Sequence, residues 1–166
     1  MIKLLVLDVD GCLTDGKIIY TSNSTEVKEF NVKDGLAIAS WIRMGHHVAI
    51  ITGRNSFIVK RRADELGIQH LYQGIKDKDK ILRQILESLA LDFSEVAAIG
   101  DDLNDYGMLS LVGRSFTPKN GVKDIQALVS TVLSHNGGDG AVREMIDIII
   151  EENGQKEEFL SLWIKD

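Results

Sequence analysis

Ile2-Lys3-Leu4-Leu5-Val6-Leu7-Asp8-Val9-Asp10-Gly11 is a near-continuous apolar run that ends abruptly in acid. A strand with one face in water alternates apolar and polar residues. A run that stays apolar is expected of a strand buried on both faces, as in a parallel sheet covered by helices. His47–Thr52 (His-Val-Ala-Ile-Ile-Thr) and Val96–Gly100 (Val-Ala-Ala-Ile-Gly) have the same character. Between and after these runs, apolar residues recur at helical spacing. Ile58, Val59, Ala63 and Leu66 form one stripe, Ile81, Leu82, Ile85, Leu86 and Leu89 a second, and Val142, Met145, Ile146, Ile149 and Ile150 a third. Trp41 and Ile42 fall on a further helix that Asp34 is placed to cap. Strand and helix alternate, so the fold class is α/β with a mostly parallel sheet.

One segment breaks the alternation. Lys17–Tyr20 and Glu26–Asn31 flank the polar turn Thr21-Ser22-Asn23-Ser24-Thr25, which predicts a β-hairpin over about residues 17–31. The length of 166 residues suits a single domain spanning 1–166, with a tail from about 153 to 166. That tail is acid-rich but carries Phe159, Leu160, Leu162, Trp163 and Ile164, a cluster suited to docking on the core or on a neighbouring subunit. The single cysteine, Cys12, allows no intramolecular disulfide, which suits a reducing compartment. The first residues are too short and too acidic for a signal peptide, and no apolar run approaches the roughly 18 residues of a membrane span.

The net charge of −6 argues against nucleic acid or an anionic membrane as partner. Its distribution is uneven. Arg43–Arg83 holds nine basic residues and four acids, which leaves that stretch at +5 within an acidic protein. A small anion is the partner such a stretch suits.

Four clusters of polar residues end predicted strands or open helices. Asp8 and Asp10 follow the first strand, with Gly11 permitting a sharp turn. In open α/β sheets ligands bind outside the carboxyl ends of strands, so both acids are well placed. Two carboxylates this close do not readily ionise together without a cation. Thr52-Gly53-Arg54 ends the second buried strand with a hydroxyl, a flexible backbone and a cation, parts that hold a phosphate. Lys76-Asp77-Lys78-Asp79-Lys80 opens the next helix, and Gly100-Asp101-Asp102 ends the third strand in hard oxygen donors that suit Mg²⁺. Each alone is more often an ordinary cap, turn or solvated charge run.

Taken in order, Asp-x-Asp-Gly, Thr-Gly-Arg, Lys and Gly-Asp-Asp resemble the motif set of the haloacid dehalogenase superfamily of phosphotransferases. Their order separates the chain from receiver domains, whose acceptor aspartate follows a later strand. The resemblance implies a three-layer, Rossmann-like fold and a Mg²⁺-dependent phosphoric monoester hydrolase. Asp8 is then the nucleophile and a metal ligand, and Asp10 the general acid and base whose carbonyl reaches the metal. Thr52 holds the phosphoryl group, Lys78 neutralises Asp8 and phosphate, and Asp101 completes the protein's metal ligands. Asp102 and Asp105 lie behind them. Counting Asp10 as protonated, this set leaves one net positive charge to receive a phosphate dianion. Lys76 and Lys80 compete with Lys78 for its role. Cys12 is a bystander.

Asp8–Gly16, Phe30–Gly35, Ile51–Arg54, Leu71–Gly74 and Gly140–Glu144 are similar to a capless subfamily that acts on phosphorylated sugar acids, the 3-deoxy-D-manno-octulosonate 8-phosphate (Kdo 8-phosphate) phosphatases. The hairpin is the only insertion after the first motif, and Arg54–Lys76 leaves no room for a cap domain. The subfamily implies a bacterial, cytoplasmic homotetramer with active sites at subunit interfaces, acting in lipopolysaccharide precursor synthesis. Gly53, Arg54 and Arg62 are the substrate-binding candidates. Arg54 separates the chain from sister phosphatases of nine-carbon sugar acid 9-phosphates, which tend to carry Glu there. Those phosphatases and a non-catalytic phospho-acceptor module are the alternatives. Asp139 stands where the subfamily often has a basic residue, and it is expected to cap the Ala141–Glu152 helix.

Overall fold

The computed structural model describes residues 1–164. Six strands form one sheet: β1 (Leu4–Leu7), β4 (His47–Ile51), β5 (His70–Tyr72), β6 (Val96–Ile99), β7 (Arg114–Thr117) and β8 (Thr131–Val132). Their order is β5-β4-β1-β6-β7-β8, and every neighbouring pair is parallel. A separate antiparallel pair, β2 (Ile19–Tyr20) and β3 (Glu26–Val27), forms the hairpin, with arms shorter than the sequence suggests. The helices are α1 (Val32–Arg43), α2 (Phe57–Leu66), α3 (Lys78–Leu89), α4 (Tyr106–Leu109), α5 (Lys123–Leu128), α6 (Ala141–Glu152) and α7 (Lys156–Ser161).

The apolar runs are explained by burial on both faces. Leu5 and Leu7 of β1, Val48 and Ile50 of β4, and Ala97 and Ile99 of β6 join a core with residues of α1, α2, α6 and α7. Leu4, Val6, Ala49, Ile51, Val96 and Ala98, the alternate positions, join a second core with α3, α4 and α5. Side chains of a strand alternate between faces, so a sheet between two helical layers needs apolar residues at every position. The result is a three-layer α/β/α fold.

β7 and β8 had no apolar signature to reveal them. Ser115 and Ser130 tie these strands together by reciprocal bonds, Ser115 N–H to Ser130 Oγ and Ser130 N–H to Ser115 Oγ, each 3.0 Å. Two expected caps are also corrected. Asn31, not Asp34, caps α1, accepting from Lys33 N–H and Asp34 N–H. Asp34 is buried, and its Oδ1 accepts the Arg143 N–H at 2.8 Å, so it serves the first turn of α6 from a neighbouring helix. Asp139 does not cap α6, because the residue preceding that helix is Gly140 at φ 95°, with no side-chain cap. Phe159 of α7 is buried in the core, while Leu160, Trp163 and Ile164 remain exposed. The tail docks on its own chain through buried Phe159 and through Trp163, whose Nε1 donates to Ser40 Oγ at 2.9 Å and whose ring lies 5.2 Å from the Arg43 guanidinium.

β1 lies between β4 and β6, which places the reversal of strand order at its carboxyl end. The chain leaves that end through Gly11, whose φ of 99° disfavours side chains and whose position beside Asp101 leaves no space for a Cβ. Gly137, in the loop before α6, abuts the Gly11 carbonyl just as closely. Gly137→Ala should therefore lower unfolding free energy by about 1–3 kcal/mol through overpacking. Urea denaturation checks this, and an unchanged midpoint would contradict the close packing of the two loops.

Candidate active site

Three parallel strands deliver the three main polar groups. Asp8 follows β1, Thr52 follows β4 and Asp101 lies two residues beyond β6, so all three reach the sheet's carboxyl edge at the switch point. A cavity of about 260 Å³ lies there, lined by Asp8, Asp10, Gly16, Thr52, Gly53, Arg54, Asp101, Asp102 and Asn104. The Thr52–Arg54 turn is braced from below. Ile75 N–H donates to the Thr52 carbonyl, Gly74 N–H to the Arg54 carbonyl, and Gln73 Oε1 accepts the Ser56 N–H.

Lys78 is the first residue of α3, whose N-terminus is capped by Asp77. Helical side chains slant toward the N-terminus, so a first-turn lysine reaches past its helix toward the strand ends. Its ammonium lies 2.7 Å from Asp8 Oδ1 and 2.6 Å from Asp105 Oδ1. Lys76 and Lys80 are exposed. Asp105 is buried, and its other oxygen accepts from the Asp101 and Asp102 N–H groups at 3.0 and 3.3 Å. It thus fixes Lys78 and the Asp101 loop together. Asp102 accepts from Leu103 N–H and borders the cavity.

The electrostatics describe a site short of positive charge. Burial, reinforced by Asp105 and opposed by Lys78, raises the Asp8 carboxyl to about 8. Burial, then Asp105 and Asp102, raises Asp101 to about 6. Burial depresses the Lys78 ammonium, but Asp8 and Asp105 outweigh it and hold that group above the ordinary lysine value. Ligand atoms of Asp8, Cys12 and Asp101 lie within 4.8 Å of one another. Burial and the nearby acids push the Cys12 thiol well above its ordinary value, so it stays neutral and is a poor donor. Two converging buried carboxylates, both raised by burial and neighbouring acids, fit a hard divalent cation such as Mg²⁺.

Two residues of the hairpin were invisible in the motifs. Lys28 places its ammonium 2.5 Å from Asp10 Oδ1 and 3.1 Å from Glu26 Oε1. The same Glu26 oxygen is 3.1 Å from Arg54. Glu26 of β3 and Lys28 just beyond it lie two positions apart on extended chain, and only the fold turns them onto Arg54 and Asp10. Arg62 is not brought there. It lies over the Phe30 ring at 5.7 Å, pairs with Glu65 at 3.4 Å, and lines a separate small cavity with Asp34. A larger concavity, about 490 Å³ between Lys33 and α6, is elsewhere, and its Arg143–Asp147 and Lys156–Glu151 pairs already match each other's charges.

A carboxyl raised on folding favours the folded state when protonated, and this contribution is lost as pH rises from the ordinary value of 3.8 through the folded value. Without metal, stability should fall between about pH 4 and pH 8, and Mg²⁺ should restore it by binding the ionised pair. At a hundredfold excess over the dissociation constant the gain is about 2.7 kcal/mol, or roughly 5–10 °C in melting temperature. Thermal melts with Mg²⁺ or chelator should show a larger increment at pH 8 than at pH 5.5, and an equal increment would contradict binding through Asp8 and Asp101.

The haloacid dehalogenase-like hydrolase family model matches residues 71–146. The 3-deoxy-D-manno-octulosonate 8-phosphate phosphatase KdsC of Escherichia coli K12 is 41% identical over 157 residues, covering 95% of this chain and 84% of that one. A crystal structure of the corresponding Moraxella catarrhalis phosphatase, in complex with magnesium ion, phosphate ion and KDO, is 40% identical with a TM-score of 0.94, covering 98% of this chain and 94% of that one. The cobalt-bound Haemophilus influenzae phosphatase is 36% identical with a TM-score of 0.88, covering 92% and 90%. With identity extending over nearly the whole chain, this protein belongs to the haloacid dehalogenase-like hydrolases, in the family of 3-deoxy-D-manno-octulosonate 8-phosphate phosphatases.

Proposed function

We propose that the chain hydrolyses Kdo 8-phosphate to Kdo and phosphate through an aspartyl-phosphate on Asp8. The observation that carries this reading is the convergence of Asp8, Lys78, Asp101, Asp10 and Thr52 at one switch point, in a chain so similar to phosphatases of that substrate. Nothing in the relatives described favours the nine-carbon or the regulatory alternative.

Asp8 attacks phosphorus with one carboxylate oxygen, and the bond from phosphorus to the sugar oxygen breaks. Asp10 gives the departing oxygen a proton. It then takes one from the water that attacks the aspartyl-phosphate, which frees phosphate and regenerates Asp8. Thr52 and the Gly53–Arg54 turn border the position of the phosphoryl oxygens, and Lys78 offsets charge on Asp8 and phosphate. Mg²⁺, held by Asp8, Asp101 and the Asp10 carbonyl, would supply charge neutralisation of the phosphoryl group. Arg54 suits the sugar carboxylate, for which it must exchange its Glu26 partner. Arg62, lying outside the cavity, has no step in this scheme.

The cavity is smaller than the roughly 300–1,000 Å³ of typical ligand pockets and has no cap over it. Ile18, Ile19, Tyr20 and Val27 of the hairpin are exposed apolar residues. Both features support a homotetramer in which neighbours complete each site, and no helix among the described residues is long and apolar enough to cross a membrane. A place in the bacterial cytoplasm, in lipopolysaccharide precursor synthesis, accords with this substrate.

Phosphate release should be faster on Kdo 8-phosphate than on a nine-carbon sugar acid 9-phosphate, and a reversed preference would overturn the assignment of substrate. Asp8→Asn should remove turnover by at least about 10⁴-fold while the fold persists by circular dichroism. Light scattering at assay concentration should give four times the chain mass, and a monomer would end the shared-site reading.

A further inference from the structure

Lys28 belongs to none of the motifs, yet it is the one cation of the hairpin whose side chain is almost wholly buried, at 1% exposure. A buried ammonium is stable only when its donors are matched, and Lys28 meets Asp10 and Glu26. Both carboxylates lie within ion-pair distance of the ammonium, which favours its charged form. Lys28 directly follows β3, and its ammonium is held at once by Asp10 and Glu26, 2.5 and 3.1 Å away. Among the described residues Lys28 is the only side chain that hydrogen-bonds Asp10, and it does so at Oδ1. The other carboxylate oxygen is left for the cavity.

This arrangement matters because Asp10 follows no regular element. Asp10 and Gly11 depart from helical geometry in the turn after β1, at φ −76°, ψ 108° and φ 99°, ψ −9°. A carboxylate on such a turn can rotate about two side-chain bonds, and proton transfer requires one oxygen to face the leaving group. We propose that Lys28 is a positioning residue for Asp10, delivered by the hairpin insertion, gripping Oδ1 so that Oδ2 meets the leaving-group oxygen. The inference rests on the reading of Asp10 as the proton donor. It gives the hairpin a role inside its own chain's site, in which Glu26 holds both Lys28 and Arg54.

The leaving group separates positioning from simple tethering. A sugar alkoxide is a strong base and needs a proton to depart, whereas p-nitrophenolate leaves unaided. The parameter kcat/KM reports steps up to leaving-group departure, so the test compares it for Kdo 8-phosphate and p-nitrophenyl phosphate at saturating Mg²⁺. Lys28→Met should lower kcat/KM on the sugar phosphate by about 10²-fold, the cost of a misplaced catalytic group. The loss on p-nitrophenyl phosphate should be smaller by roughly tenfold or more. Lys28→Arg, which keeps a cation, should recover most of the sugar-phosphate rate, and Asp10→Asn should show the same discrimination more strongly.

Equal losses on both substrates for Lys28→Met, with discrimination retained in Asp10→Asn, would make Lys28 a tether and overturn the proposal alone. Equal losses for Asp10→Asn would instead remove the reading of Asp10 as proton donor. If Lys28→Met does not fold, Lys28→Gln carries the same comparison against Lys28→Arg, and the same outcomes decide.

Discussion

Lys78 Nζ, wedged between Asp8 and Asp105 in the interior, is the contact on which the rest of the site depends. Asp8 and Asp101 gather at the ends of β1 and β6, where burial opposes the charge on both, and buried Asp105 lies beside them. One ammonium shared between Asp8 and Asp105 lets these groups approach, and removing one partner of such a buried pair typically costs about 3–5 kcal/mol. Because Asp105 also accepts from the Asp101 and Asp102 amides, the same ion pair orders the loop that carries Asp101. Asp8, the acid loop and the first turn of α3 therefore form one electrostatic unit.

Burial, reinforced by neighbouring acids that Lys78 does not fully offset, pushes Asp8 and Asp101 upward. A hard cation and then a phosphate dianion fit such a deficit in turn. The charge inventory taken from the motifs alone omitted Asp105 and Lys28. Asp105 takes up part of the Lys78 charge, and Lys28 returns one from the hairpin. Asp10 thus faces an ammonium that its own motif does not contain.

The fold and the central site were legible because both follow from local rules. Apolar runs such as Leu4–Leu7 reveal strands buried on two faces, and a parallel sheet brings their carboxyl ends to one edge. Residues just beyond those ends then meet whatever the loops between them do. β7 and β8 escaped notice because Arg114-Ser115-Phe116-Thr117 and Thr131-Val132 are short, and their pairing is reinforced by serine hydroxyls rather than apolar periodicity. Asp34 misled for a related reason. An acid in a first turn reads as a local cap, but its partner is the Arg143 amide on another helix.

The sequence by itself determined the α/β class, the four motif clusters and the presence of a hairpin where a cap domain could have stood. Nearest-neighbour periodicity and strand termini carry that information. Only the tertiary structure decided that Lys28 and Glu26 turn onto Asp10 and Arg54, that Arg62 lies over Phe30 outside the cavity, and that Gly11 and Gly137 must be glycine to let two loops touch. These outcomes depend on how a two-stranded insertion and distant loops fold back over the sheet, and no local pattern encodes a distance across that gap. The opening run, with its acids at residues 8 and 10, announced where the chemistry sits; the packing of the hairpin decided what Asp10 meets there.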